Sequence, residues 1–541
     1  MSEPGEVGPA GADRLVSTSS RTVMGAAALM IGTILASRVL GQVRDTLTYS
    51  LFGEQGAGAG ALRAAFDVPD LLYFLLAGGA LRSGFVPLFT RYLNEREEER
   101  AWKTLGLLTV LVTVVSAVLI LLGMVGARIV IIPFTSGYSE EAREATVIMT
   151  RILFPAQWFM LVGGIFSGVL NSLGDFLIPA LVPLVYNAAM IAAMLLFGRE
   201  DQLGVYSVAW GAVAGAVVGH FLLQVWGLVR KRVPFRPGWN LRDPDLREVI
   251  FLSAPVILGL CIAEINLKIS NAVVGYFGEQ ARAAVNAASR VARLPDGIIG
   301  AGLGIALLPV LSTLAARGQM EDFRRQMGLA LRVALLGTLP ATVIFSVMSR
   351  PIISAVYHYG KMTAAAMDQY AGLLILFAIG IVPITLQVVI TRGFYALKDT
   401  RTPVKIGVVA VLFGLLANLT LAVWGGLGPP GVAVAMSLTG IVNTAGLFYC
   451  YRRKVGLMEG RAIALTAIKS LLACGGLAVV ALGVEALSRR WLGEVKGFRH
   501  FIPVLLALSG GGLVYGGLLK ALGVPEVDAL LGLARQRLKR G

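Results

Sequence analysis

Arginines and carboxylates recur inside apolar stretches of this chain, where each is costly unless it is paired or faces water. Residues 22–51 hold Arg38, Arg44 and Asp45, and 58–92 hold Arg63, Asp67, Asp70 and Arg82. Residues 245–277 hold Glu264 and Lys268, 281–316 hold Arg290, Arg293 and Asp296, and 363–396 hold Asp368 and Arg392. Arginine suits phosphate, because its planar fork donates paired hydrogen bonds and stays charged. Arg38 and Arg44 are six residues apart, about 120° from eclipsed on a helix, so both can border a wide cleft. Glu264 and Lys268 are four apart and can pair along one helix face. The competing reading is that these charges form internal pairs that fix helix packing, or snorkel to an interface. Arg82 and Arg392 lie near segment ends and suit the interface. No GxxxxGK[ST] phosphate loop and no nucleophile–base pair occurs, which speaks against ATP hydrolysis and covalent catalysis. The chemistry expected is recognition and transport, not bond making, with no cofactor. Any drive would come from an ion gradient or the membrane potential, with Glu264 as a candidate coupling residue.

The elements that position these residues follow from composition. The chain has 541 residues, of which 56% are apolar before its 65 glycines are counted, and 15% are charged against roughly 25% in soluble domains. Mean hydropathy is +0.75. A soluble enzyme, a disordered chain and a disulfide scaffold are excluded, leaving a polytopic all-α membrane protein. Helices are expected near 22–51, 58–92, 101–133, 140–172, 177–198, 205–230, 245–277, 281–316, 322–349, 363–396, 402–425, 429–452, 462–487 and 499–521. That is about fourteen spans of about 20 residues or more. Residues 1–20 read as a disordered cytoplasmic tail without signal-peptide features, and 525–541 as an amphipathic basic tail.

The net charge of +16 fits basic loops on the cytoplasmic face better than nucleic-acid binding. Connections 91–103, 230–247 and 452–461 are rich in Arg and Lys, whereas the alternate connections are poor in them except 488–500. This pattern predicts both termini in the cytoplasm. Cys261, Cys450 and Cys474 and the scattered His220, His358 and His500 have no metal spacing, so no metal site is expected.

Four motif pairs recur at an offset of about 225 residues. They are Phe52-Gly53-Glu54 with Phe277-Gly278-Glu279, Val68-Pro69-Asp70 with Leu294-Pro295-Asp296, Val86-Pro87-Leu88 with Leu308-Pro309-Val310, and Leu173, Asp175 and Pro179 with Leu397, Asp399 and Pro403. They imply two six-helix lobes, 21–232 and 244–455, entering the membrane from the same side, with two extra helices in 461–522. Pro69, Pro295 and Pro383 fall mid-span and predict kinks.

The stretch Ser37-Arg38-Val39-Leu40-Gly41, followed by Val43-Arg44-Asp45 and Phe52-Gly53, resembles the first helix of the MurJ (MviN) family of bacterial lipid II flippases. Further matches are Phe66 with Val68-Pro69-Asp70-Leu71-Leu72, Gly79-Ala80 with Phe85-Val86-Pro87, and Asn171 with Ile178-Pro179. Ser289-Arg290 with Leu294-Pro295, Tyr359-Gly360-Lys361, and Lys398-Asp399-Thr400 with Thr402-Pro403 continue the series. The resemblance covers roughly 22–455 and implies the fold of the multidrug/oligosaccharidyl-lipid/polysaccharide exporter superfamily. It implies movement of lipid II from the cytoplasmic to the periplasmic leaflet of the inner membrane by alternating access. By the same resemblance, Arg38, Arg44, Asp45 and Arg290 bind substrate. Arg63, Asp70, Tyr73, Glu264, Lys268 and Arg293 are cavity or coupling candidates. Tyr73 stands where the family carries an arginine, Gly78 where it carries a glutamate, and Gly60 where an aspartate is common. Expected partners are lipid II, membrane lipids and cell-wall synthesis or division proteins, with no nucleic acid, for a monomer. Alternatives are a flippase for another polyprenyl-linked glycan, a drug/cation antiporter of the superfamily, and a non-transporting cell-wall scaffold. The arginine excess speaks against the antiporter.

Overall fold

A computed structural model describes residues 20–53, 58–77, 80–492 and 497–527. The tail 1–19, most of the basic tail (528–541) and Gly78 lie outside them. Among the described residues the regular structure is helical throughout. In chain order the main helices are α1 (Ser20–Phe52), α2 (Ala59–Ala77), α3 (Ala80–Asn94), α4 (Glu98–Val125), α5 (Glu140–Ser172), α6 (Leu177–Phe197) and α7 (Tyr206–Arg230). They continue as α8 (Pro244–Tyr276), α9 (Glu279–Ala292), α10 (Leu294–Ala316), α11 (Met320–Val347), α12 (Ser349–Tyr357), α13 (Ala364–Ala378) and α14 (Ile381–Ala396). The last four are α15 (Arg401–Trp424), α16 (Pro429–Val455), α17 (Gly460–Leu492) and α18 (Phe501–Ala521).

All fourteen expected spans fall on helix. Among the described residues, ten helices are long and apolar enough to cross a membrane, or eleven when the bent pair α13–α14 counts as one. Length and apolarity therefore do not establish fourteen crossings. The three expected spans outside that group lie over α1, α2–α3 and α8, the helices carrying Arg38, Arg44, Asp67, Asp70, Glu264 and Lys268.

Two of the three mid-span prolines sit at true breaks. Pro295 opens α10 after the chain interrupts the helix at Arg293. Pro383 stands in the first turn of α14, bent 43° from α13. Proline removes a donor and leaves carbonyls without partners. Hydroxyls bond the backbone around the second break: Ser437 donates to the Leu376 carbonyl (2.9 Å), Thr342 to Ala378 (3.3 Å) and Thr444 to Pro383 (2.6 Å). Pro69, by contrast, is accommodated inside a continuous α2.

One repeated motif folds the same way twice. Gly174 and Lys398 both take positive φ, 75° and 58°. The following aspartate N–H reaches back to the carbonyl of Leu170 (2.9 Å) or Phe394 (3.0 Å). The aspartate side chain then accepts from the first turn of the next helix, Ile178 N–H for Asp175 and Thr402 N–H for Asp399. Burial pushes Asp399 up, but the Lys454 ammonium at 2.5 Å and the N–H and hydroxyl of Thr402 outweigh it and hold the carboxyl at about 2. A depressed folded pKa contributes stability above the unfolded value that is lost as pH falls through the folded one. The thermal stability of the purified protein is therefore expected to fall between about pH 4 and pH 2, less steeply in Lys454→Met.

The described residues form two compact units: 20–47, 75–124 and 152–257 in the first, and 48–74, 125–151 and 258–527 in the second. In the first unit, Arg100 holds Asp245 at 2.6 Å and Lys103 holds Asp243 at 2.7 Å, fastening the start of α8 to α4. In the second, Gly137 and Gly275 form a reciprocal crossing. A Cβ on Gly137 would meet the Tyr276 carbonyl oxygen at 2.0 Å, and one on Gly275 the Phe134 carbonyl oxygen at 2.0 Å. The Gly137 N–H donates to the Gly275 carbonyl at 3.0 Å. Gly275→Ala is expected to cost about 1–3 kcal/mol through forced separation of backbones. The check is thermal unfolding in detergent, with Gly372→Ala as control, since nothing lies within 4 Å of a Cβ there.

Candidate functional site

In the first unit, α1 presents Arg44 to α6. The guanidinium donates to Asp45 Oδ1 from Nε (3.1 Å) and Nη2 (2.9 Å), and from Nη1 to Asn187 Oδ1 (3.0 Å). The Met190 sulfur is 3.7 Å from Nη1. Asn187 is itself fixed, because its amide donates to the Pro183 carbonyl one turn back (2.9 Å) and to Ser37 Oγ (3.5 Å). The Asp45 side chain is 0% exposed and that of Arg44 13%. Asp45 is thus a buried counter-charge that aims Arg44 rather than a group open to a ligand. Arg38, on the same helix, is exposed. Asn187 was not among the residues singled out from the sequence, since an asparagine in an apolar span carries no distinctive signal until its partner is known.

In the second unit the carboxylate of Asp67 is 3% exposed and gathers three donors. Lys268 Nζ lies 3.1 Å from Oδ1, Asn271 Nδ2 donates to the same oxygen (2.8 Å), and Arg282 pairs with Oδ2. Arg282 also donates to the Asn271 carbonyl. Lys268 and Glu264 pair within α8 at 3.6 Å, as their spacing predicts. Asp70 lies within electrostatic reach of Lys268, Asp67, Glu264 and Arg63. Four of the candidates, Arg63, Asp70, Glu264 and Lys268, therefore lie in one electrostatic neighbourhood with Asp67, to which Lys268 is directly bonded. Arg282, fully buried at 1%, was not identified from the sequence. It sits in the first turn of α9, where an arginine reads as interfacial; the signal was an unassigned acid in α2 that required a cation.

Arg290 and Arg293 lie in the second unit and are exposed at the α9–α10 break. Tyr73 is half-buried, with its ring edge-on to Phe74. A Cβ on Gly60 would meet the Glu279 carbonyl oxygen at 2.0 Å, so this helix crossing has no room for the aspartate common at that place in the resembling family. No cluster of metal-ligating side chains occurs among the described residues.

A family model described as "Lipid II flippase MurJ" matches residues 50–498. The matched range begins after Arg38, Arg44 and Asp45. The lipid II flippase MurJ of Burkholderia cenocepacia is 30% identical over 431 residues, covering 78% of this chain and 82% of that one. A probable lipid II flippase MurJ of Vibrio cholerae is 27% identical over 447 residues, covering 80% and 83%. Among solved structures, lipid II flippase MurJ in an inward closed conformation superposes with a TM-score of 0.75 at 22% identity, covering 92% of this chain and 99% of that one. An inward-facing multidrug resistance MATE transporter of the MOP superfamily gives 0.67 at 15% identity, covering 78% and 96%. These two likenesses concern the fold.

Proposed function

This chain belongs to the lipid II flippase MurJ family, and from that premise we propose that it carries the polyprenyl-diphosphate peptidoglycan precursor across the bacterial inner membrane by alternating access. The family match over residues 50–498 carries the reading. The chain is a multi-pass transporter rather than an enzyme. In this reading both termini lie in the cytoplasm, which the basic connections support, so α2 and α9 begin, and α8 ends, at the periplasmic side. The lobes 21–232 and 244–455 rock about the substrate.

Arg44 is the residue best placed to meet the diphosphate. Its fork is pre-aimed by Asp45 and Asn187, and pre-orientation lowers the cost of binding. Arg38, exposed on the same helix, supplies further positive charge; Arg290 and Arg293, exposed beside the α9–α10 break of the second unit, are substrate-contact candidates on the family resemblance. Asp45 acts through Arg44. Glu264 and Lys268 are bound up in the Asp67 network, which makes them parts of the conformational machinery rather than ligands. A cationic substrate site also senses the membrane potential, at about 2.3 kcal/mol per charge per 100 mV.

Complementation tests the proposal. In a bacterium depleted of its resident lipid II flippase, this chain is expected to restore growth and the appearance of lipid II in the periplasmic leaflet. A well-expressed, membrane-inserted protein that restores neither would exclude lipid II as the substrate and direct attention to Tyr73 and Gly60, where the chain departs from its family.

A further inference from the structure

We infer that Asp67, with Lys268 and Arg282, forms a releasable lock that holds the periplasmic side closed, and that these three are positioning residues for transport. The inference rests on the orientation and the alternating-access reading above. Asp67 lies eight residues into α2 and Lys268 eight residues before the end of α8, each roughly 12 Å below the periplasmic end of its helix. Arg282 enters from the first turn of α9. One carboxylate of the first six-helix half is thus bonded to three donors of the second half. Above it the backbones touch. Gly60 packs on the Glu279 carbonyl, Gly137 on Tyr276, and the Tyr138 hydroxyl donates to the Gly60 carbonyl at 3.3 Å.

The chemistry of the network identifies what it is for. A buried ion pair is weak evidence of stability, because apolar side chains of like volume serve as well or better. A contact that must open in each cycle has a different requirement. Apolar faces would be exposed to water on opening, at a cost proportional to their area. Charged groups regain hydration on opening and satisfy one another on closing, so the two states stay close in free energy. Neutralising Asp67 removes the acceptor and leaves Lys268 and Arg282 buried without it, which favours the open, hydrated arrangement.

The test uses the full-length chain in cells, with Cys261, Cys450 and Cys474 replaced by alanine and Ser50→Cys as reporter. Ser50 is buried at the end of α1, where its carbonyl accepts from Lys361 N–H at 2.9 Å. A membrane-impermeant maleimide is applied from the periplasmic side. Asp67→Asn is expected to raise the labelling rate at least about tenfold, because losing one partner of a buried ion pair shifts a two-state equilibrium by that much or more. Lys268→Gln, which leaves the Arg282 pair in place, gives a smaller rise and serves if Asp67→Asn fails to accumulate. Unchanged labelling in both variants at equal abundance would overturn the lock, and labelling of the reporter from the cytoplasmic side alone would overturn the orientation it requires. Labelling needs no lipid II, so a chain that fails complementation but shows the shift refutes the substrate and not the lock.

Discussion

Arg44→Ala is expected to abolish complementation. An arginine–phosphate fork contributes two charge-assisted hydrogen bonds, and losing it costs about 3 kcal/mol or more, a fall of roughly a hundredfold in flipping rate. The single change also takes the Arg44 donors away from Asp45, whose side chain is fully buried, so abundance is expected to fall as well. Arg44→Ala with Asp45→Ala separates the two effects, since the buried carboxylate is gone as well. That double variant should recover abundance in membranes without recovering lipid II exposure. Arg44→Lys keeps the charge but not the fork, and should retain only a small part of the activity. Growth rescue, immunoblotting of membranes and lipid II exposure together distinguish a missing ligand contact from a misfolded protein.

Arg282→Met is expected to give the largest loss of stability of any substitution away from the substrate site. It removes the cation on Asp67 Oδ2 and leaves a carboxylate that is 3% exposed, with Lys268 and Asn271 as its remaining donors. Breaking a buried pair from one side costs about 3–5 kcal/mol while the network stays closed, and opening to water offsets part of it. Adding Asp67→Asn removes the uncompensated charge and should return a coupling energy of about 0.5–3 kcal/mol. The measurement is thermal unfolding of the four proteins of the cycle in one detergent. Additive losses would mean that Asp67 and Arg282 act independently.

Much of this arrangement was legible in the residues. Hydropathy located the helices, and the i, i+4 spacing of Glu264 and Lys268 anticipated their pair. The repeated Leu-x-Asp motif was recognisable because a positive-φ residue followed by a capping aspartate is a local device, written within a few positions. What escaped was the non-local partnership. Asp67 and Arg282 are 215 residues apart, and nothing in either segment names the other. Asn187 becomes informative only once Arg44 lies beside it. Pro69 and Pro295 share a motif, yet one is absorbed in a continuous helix and the other opens a new one; nothing in the structure explains that difference.

The most direct test of the central claim is transbilayer movement of lipid II in vesicles reconstituted with the purified chain. The account predicts that wild-type vesicles move lipid II between leaflets faster than protein-free vesicles and faster than vesicles holding the Arg44→Ala, Asp45→Ala protein. Movement no faster than in protein-free vesicles, from a folded and correctly inserted protein under an imposed membrane potential, would contradict it.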